Sequence, residues 1–438
     1  MLNILIDAYA VSPNWGSEQG MGWNWICNLA RHCNLFVITE GEWRSEIERA
    51  INAAMYDIMD KTVNPTLLTR EQAEHMHFYY LPVSEEVREM CWKQGTWKFY
   101  LHYEKWEKRV YKKAFEIIKD FDGTEHQIDI LHKLNMICYR EPGYLWKIKE
   151  IPFVWGPVGG FGYYPLAYLE HESVIQKIKI ILKNSLIWAT FRYQPRVRKA
   201  MKRADLVVSA YKENAEETQR IYGHPYIQIN ETGAHINMGS KPHASSDKEF
   251  KLMWVGKYDH RKQLGIAIKT MAKLKKNKPN IHLYVLGTGS KEDIKRYSSM
   301  VSDYQVKDTV HLLGSVPNVE TREMMLTADL FFFTSVDDAT STVVPEAIGA
   351  GLPVVCHSML GFGDLIDNNV GRKIPAVNPD HSIEQFSKII SELEENRDEV
   401  RRLSTNCIKK QYEISWLSNA EKMVALYDKI FEKKDLLT

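Results

Sequence analysis

The sequence predicts an α/β chain of two doubly wound domains, each a parallel sheet covered on both faces. Short apolar runs alternate with longer segments of helical spacing, which is what parallel strands joined by crossover helices require. The alternation restarts after the polar, linker-like stretch HASSDKEF at 243–250. The length of 438 residues also exceeds what one ordinary core accommodates. The boundary falls within 222–250, giving a first domain over 1–225 and a second over 240–416.

The strands of the first domain are expected in NILIDAY, LFVITE, HFYYLPV, IDILHKL, FVWGPV and LVVSA. The opening MLNILIDAYAVSP has neither a basic leader nor a small-residue cleavage site, so it reads as the first strand rather than a signal peptide. Between the third and fourth strands, Phe99, Tyr103, Trp106, Val110, Ala114 and Ile117 recur at helical spacing. Core packing is the favoured reading of this face; an aromatic surface for acceptor or membrane is the other. Segment 173–204 is rich in Lys and Arg and has no acidic residue, while Val174, Ile178, Ile181, Leu182 and Trp188 share a face. Such a helix suits an anionic membrane surface or a solvated face over a core. In the second domain KLMWVG, IHLYVLG, TVHLLG, ADLFFFTS and LPVVCH read as strands. A final amphipathic helix over 417–435 places Ala420, Met423, Val424, Leu426 and Tyr427 on one side.

Composition excludes several classes. The apolar share is 44 %, the charged share 26 % and the net charge +1, a globular balance with no pull toward nucleic acid. The six cysteines are scattered without a CxxC pair, which reads as reduced thiols rather than a disulfide framework or zinc site. No uncharged stretch approaches the roughly 20 residues that a membrane-spanning helix needs.

Chemistry concentrates where strands end. In a doubly wound sheet, ligands bind outside the carboxyl ends of the strands. The stretch SVDDATSTVVPEAIGAGLPVV (335–355) occupies such an end and holds Asp338 and Glu346 eight residues apart. Pro345 suits the first position of a helix that Gly351 ends. Glu346 then either accepts hydrogen bonds from a ribose diol or complements the helix dipole. Upstream, Gly256 ends a strand and is followed by Lys257, Arg261 and Lys262, cations suited to a diphosphate. Gly287 and Gly314 also follow strands, where backbone can approach a ligand. Gly361 and Gly363 precede a helix whose amides could meet phosphate. DFD at 120–122 reads as turn formers rather than a metal motif.

Taken in order, these features resemble the second domain of the family 4 retaining glycosyltransferases, which have the GT-B fold of two Rossmann-like domains facing a cleft. The family's G-R-L-x-x-x-K-G corresponds to Gly256, Lys257, Tyr258 and Lys262, with Lys257 in place of Arg. Its E-x7-E corresponds to Asp338 and Glu346, with the shorter Asp first. SPNWGSEQGMGWNW and FVWGPVGG resemble segments of a bacterial glycan-assembly branch, and SWLSNAEKMVALY the usual family ending.

The resemblance implies transfer of a sugar from a nucleoside diphosphate donor to an acceptor hydroxyl, with the anomeric configuration retained. Glu346 would hold the ribose, Asp338 a hydroxyl of the donor sugar, and Lys257 and Lys262 the diphosphate, with no metal ion and no cofactor beyond the co-substrate. His132 would touch the transferred sugar, although the matching histidine of many relatives lies where this chain has Leu134. Gly16, Glu18, Gly20 and Gly22 would approach diphosphate or acceptor, and Gly159 and Gly160 would line the cleft. The final helix is expected to return to the first domain. The branch implies a cytoplasmic enzyme of cell-surface polysaccharide or lipid-linked glycan assembly, with peripheral contact on the inner membrane face through 173–204. A nucleotide-sugar 2-epimerase of the same architecture is the alternative. A sugar-binding protein and a nicotinamide enzyme fit less well, the latter because GTGSKE stops after its second glycine.

Overall fold

The computed structural model describes residues 1–56, 58, 68–92, 96–169, 172–238, 242 and 249–435, with side chains up to residue 431. The chain forms two compact units: Met1–Phe161, Trp188–Glu231 and Trp416–Thr438 make the first, and Gly162–Ile187 with Thr232–Ser415 the second. Residues 162–187, expected in the first domain, thus belong to the second unit. Within it the Tyr164 hydroxyl donates to the His260 carbonyl at 3.1 Å and accepts from Gln263 at 3.0 Å. The linker-like stretch 243–250 lies outside the described residues except at 249 and 250.

The first unit holds β1 (Leu2–Ala8), β2 (Cys33–Thr39), β3 (Met76–Tyr80), β4 (Ile130–Asn135), β5 (Phe153–Val158) and β6 (Leu206–Ser209). They lie parallel in the order β3-β2-β1-β4-β5-β6. The second unit holds β7 (Phe250–Val255), β8 (Ile281–Leu286), β9 (Val310–Gly314), β10 (Leu330–Phe333), β11 (Val354–His357) and β12 (Gly371–Ile374). Its order is β12-β11-β10-β7-β8-β9. Numbered from its own first strand, each sheet is 3-2-1-4-5-6, so connections reverse between β1 and β4 and between β7 and β10. Strand β12, GRKI, was not among the expected strands. It pairs on one side only, with β11, and an edge strand needs no apolar run.

The helices follow their sequence signals. Trp97–Phe121 buries Phe99, Tyr103, Trp106, Val110, Ala114 and Ile117, the core packing its spacing favoured. Ser290 and Asp293 cap Lys291–Asp303 reciprocally. The last helix, Trp416–Asp435, packs in the first unit on Ser17–Leu29 and buries Ala420, Met423 and Tyr427. Gly156 shows why β5 carries a glycine: its φ is +146°, and a Cβ there would meet the Val208 carbonyl oxygen at 2.3 Å.

A charge cluster lies inside the first unit. Asp7 and Lys133 face each other across β1 and β4. The Lys133 ammonium lies 3.0 Å from Asp7 Oδ2 and 2.6 Å from Glu107 Oε1, and donates to the Tyr103 hydroxyl at 2.9 Å. All four side chains are buried. One ammonium serves two carboxylates in low dielectric. Burial, then the Glu107 charge, pushes the Asp7 carboxyl well above its ordinary range, against the opposing pull of Lys133. Gly143, at φ +58°, leaves room for the cluster: a Cβ there would meet Glu107 Oε2 at 2.5 Å.

Removing the shared cation strands the carboxylates. Lys133→Met is expected to cost about 3–5 kcal/mol of stability, read from denaturant midpoints. Adding Asp7→Asn and Glu107→Gln to it should recover most of that loss.

Candidate functional site

In the second unit the reversal between β7 and β10 brings two loops together. The loop after β7 carries Lys257, Arg261 and Lys262; the loop after β10 carries Asp337 and Asp338. Backbone bonds fix their register. Val336 N donates to the Arg261 carbonyl at 2.9 Å, and the Thr334 hydroxyl to that of Lys262 at 2.8 Å. Trp254 Nε1 donates to Thr334 Oγ1 at 2.9 Å. Beneath them His357 Nδ1 lies 3.1 Å from the Ser335 carbonyl, while its Nε2 lies 2.9 Å from Ser382 Oγ.

Lys262 and Asp338 meet directly in an ion pair, with the ammonium 4.9 Å from the centre of the Phe333 ring. Both side chains are mostly buried, so the pair is shielded from solvent screening. The adjacent charges are spent elsewhere. Arg261 Nη2 pairs with Asp259 at 2.7 Å and Lys183 Nζ with Asp337 at 2.8 Å. Lys257 is exposed.

Glu346 lies in the first turn of helix Val343–Gly349. Pro345 is the third residue of this helix rather than the first, and Gly351, at φ +76°, follows its end. Proline is still tolerated there, because the first-turn amides have no intrahelical acceptor. Burial raises the Glu346 carboxyl above its ordinary value, and the Arg322 charge partly opposes this. Arg322, on helix Asn318–Met325 after β9, also lowers His235, whose chief perturbation is burial. Sequence reading passed over both residues. Neither lies in a motif, and only folding brings the β9 loop near residue 235.

The glycines divide. Gly287, at φ +140°, packs on Gly256, whose carbonyl oxygen would lie 1.8 Å from an added Cβ. Its amide donates to the Gly314 carbonyl at 2.7 Å. It is Gly287 whose missing Cβ lets these strand-end backbones touch; an added Cβ at Gly314 would meet nothing within 4 Å. Gly361 and Gly363 lie inside the short helix Leu360–Asp364 rather than before it. The Gly361 amide donates to the Ala339 carbonyl of the β10 loop at 2.7 Å, and the Gly363 amide closes the helix's own bond to the Met359 carbonyl at 3.1 Å.

In the first unit the equivalent reversal joins the β1 and β4 ends. Asn135 Nδ2 donates to the Ala10 carbonyl at 2.7 Å, and the Ala10 amide to Asn135 Oδ1 at 3.3 Å. Glu18 accepts from the Ile137 amide at 3.1 Å, and burial raises its carboxyl. Gly20 and Gly22 serve close packing: added Cβ atoms would meet the carbonyls of Trp15 at 2.3 Å and Ala10 at 2.4 Å. Gly16 is exposed, with open space beside it. Gly159 donates to the Ile137 carbonyl at 2.9 Å, and Gly160, at φ +83°, packs on Cys138.

His132 corrects the expectation for it. It lies inside β4, not after it, and is fully buried. Nε2 lies 2.6 Å from the Gly156 carbonyl and Nδ1 2.6 Å from the Tyr427 hydroxyl. The ring is neutral, donating from Nε2 and accepting at Nδ1, and burial lowers it to about 4. It is a structural link between β4, β5 and the last helix. Among the described residues, four other than glycine have positive φ where the chain passes from a strand-end loop into the next helix: Ser17, Gln263, Ser341 and Leu360. Strain of this kind gathers at functional loops.

Residues 239–410 match the family model described as glycosyl transferases group 1. The phosphatidylinositol N-acetylglucosaminyltransferase gpi3 subunit of Schizosaccharomyces pombe is 22 % identical over 201 residues, 46 % of this chain and 42 % of its own. The putative colanic acid biosynthesis glycosyltransferase WcaL of Escherichia coli is 24 % identical over 211 residues, 46 % of this chain and 51 % of its own. The chain thus spans about half the length of these curated relatives. The solved structure of Anabaena Alr3699/HepE in complex with UDP superposes with a TM-score of 0.61 at 13 % identity, over 98 % of this chain and 100 % of that one. The fold is GT-B, two Rossmann-like domains.

The buried imidazole gives a pH dependence. Between about 6.5 and about 4 the unfolded His132 binds a proton that the folded one does not. Its stabilisation is complete above the unfolded pKa and is lost as pH falls toward the folded one, on the order of 3 kcal/mol in all. His132→Gln keeps a donor for Gly156 and should flatten the fall in stability between about pH 7 and about pH 5. An equal slope in both proteins would contradict the neutral assignment.

Proposed function

We propose that the chain is a retaining glycosyltransferase that moves a sugar from a nucleoside diphosphate donor to an acceptor hydroxyl. The observation that carries this reading is the Lys262–Asp338 pair at the strand reversal, within the residues that match the family model. In the free protein each charge neutralises the other. An arriving diphosphate takes the Lys262 ammonium and so releases the Asp338 carboxylate to accept from donor-sugar hydroxyls. Exposed Lys257 swings onto the same diphosphate. Glu346, in the first turn of its helix, accepts from the ribose diol.

The chemistry asks for this charge layout. As the glycosidic bond breaks, the sugar becomes oxocarbenium-like and negative charge grows on the leaving phosphate. Fixed cations stabilise that charge more in the transition state than in the ground state. The lysines fill the role that a metal ion plays in other sugar transfers, and no cofactor is needed beyond the donor. The UDP complex of HepE makes UDP the first nucleotide to test.

The acceptor proposed is a glycan or lipid-linked glycan of the cell surface, made on the cytoplasmic side of the membrane. Helix Val174–Tyr193 supports a peripheral membrane contact. It exposes Val174, Ile175, Ile178, Ile181, Leu182 and Leu186 and contains no acidic residue. None of the described helices is long and apolar enough to cross a membrane.

UDP is expected to raise the melting temperature of the wild type, with the shift reduced about tenfold in affinity for Glu346→Ala. Lys262→Ala should lower kcat by about 10²–10³-fold. No stabilisation by any nucleoside diphosphate would sink the donor site. A new nucleotide sugar formed without acceptor would replace transfer by epimerisation. Ile178→Glu with Leu182→Glu should abolish pelleting with anionic vesicles at low salt; a wild type that does not pellet there ends the membrane reading.

A further inference from the structure

Three tryptophans from three different loops converge on the first unit. Trp15 follows β1, Trp43 follows β2, and Trp92 ends helix Glu85–Trp92 beyond β3. Their ring centres lie 6.2, 6.3 and 5.8 Å apart, and the planes are inclined by 51–77°. Trp15 is 54 % exposed and Trp92 46 %. Grouping large rings in water is costly, and such patches mark binding surfaces. Beside them runs a narrow recess lined by Tyr9, Glu18, Glu42, Trp43 and Trp92 among others.

The polar groups narrow the ligand class. Glu42 accepts from Trp92 Nε1 at 3.3 Å and lies 3.7 Å from Arg88, with burial raising its carboxyl. Arg88 is committed to Glu40 at 2.8 Å, and Arg44 to Glu48 at 2.7 Å. Among the described residues, the two arginines beside the rings are thus already paired with carboxylates rather than open to an anionic headgroup or a phosphate. Among the described residues the indole N–H groups of Trp15 and Trp43 have no acceptor, so two donors remain unspent. Flat apolar faces, free N–H donors and a partly buried carboxylate together suit one chemistry: sugar rings. Their C–H faces stack on indoles, and their vicinal hydroxyls donate to a carboxylate. Trp also provides this area at low entropic cost.

We infer that Trp15, Trp43, Trp92 and Glu42 form a platform that binds an uncharged saccharide chain, the acceptor of the proposed transfer. This rests on the transferase reading for its role, but binding is measured without nucleotide, so either can fail while the other stands. The probes are cellotetraose, maltotetraose and chitotetraose, titrated against the full chain by saturation-transfer NMR. At least one should bind saturably below about 10 mM. Trp15→Ala should weaken it about tenfold or more, Trp15→Phe, which keeps a ring, about threefold or less, and Glu42→Gln by an intermediate factor, each with an unaltered melting curve. Absence of saturable binding by all three, or equal binding by Trp15→Ala, overturns the inference. Vesicle binding that Trp15→Ala abolishes also overturns it, in favour of a lipid surface.

Discussion

Parallel strands impose the arrangement on which the rest of this molecule depends. Every strand of each sheet runs the same way, so every strand-to-helix loop emerges at one edge of its sheet. Where the connections reverse, neighbouring loops diverge to opposite faces and leave backbone and side chains uncovered. In the second unit that place is the β7/β10 junction, and there Lys262 and Asp338 meet. Two charges from loops seventy-six residues apart are held by backbone bonds such as Val336 to Arg261, not by their own attraction. That is the condition for a site whose charges can change partners without the loops moving.

The corresponding junction of the first unit is filled differently. Asn135 clamps Ala10, and Lys133 sits between Asp7 and Glu107 without solvent. A buried set of charges that counts two carboxylates against one ammonium is poor at stabilising a fold. It does fix the ends of β1 and β4 relative to helix Trp97–Phe121, from which Tyr103 and Glu107 come. His132, one residue before Lys133, joins the same strand to β5 and the final helix through both nitrogens. Strand β4 is thus pinned on both faces by polar contacts, and the loop beyond it carries the Glu18–Ile137 bond.

Much of the fold was legible. Eleven of the twelve described strands lie in runs read as apolar and turn-bounded, because burial on two faces demands continuous apolar residues. The exception, GRKI, is an edge strand and escapes that demand. Of the candidate site, the strand-end loops of Lys262 and Asp338 and the first-turn position of Glu346 were readable, because those placements are fixed by local geometry. At Gly287 and Gly361 the structure shows loop backbone at close range. A glycine signals close backbone approach, but not whether the approaching group is a ligand or another loop.

Sequence by itself determined the two α/β halves, the strand-end loops that carry charge, and the helical face of Trp97–Phe121, all set by periodicities of a few residues. Tertiary structure decided the rest. It chose the strand order, moved 162–187 into the second unit, withdrew His132 into a core, and brought Trp15, Trp43 and Trp92 together from three loops. The physical reason is range. Propensity and pattern act between near neighbours, whereas burial of a histidine or contact between loops depends on residues tens to hundreds of positions away.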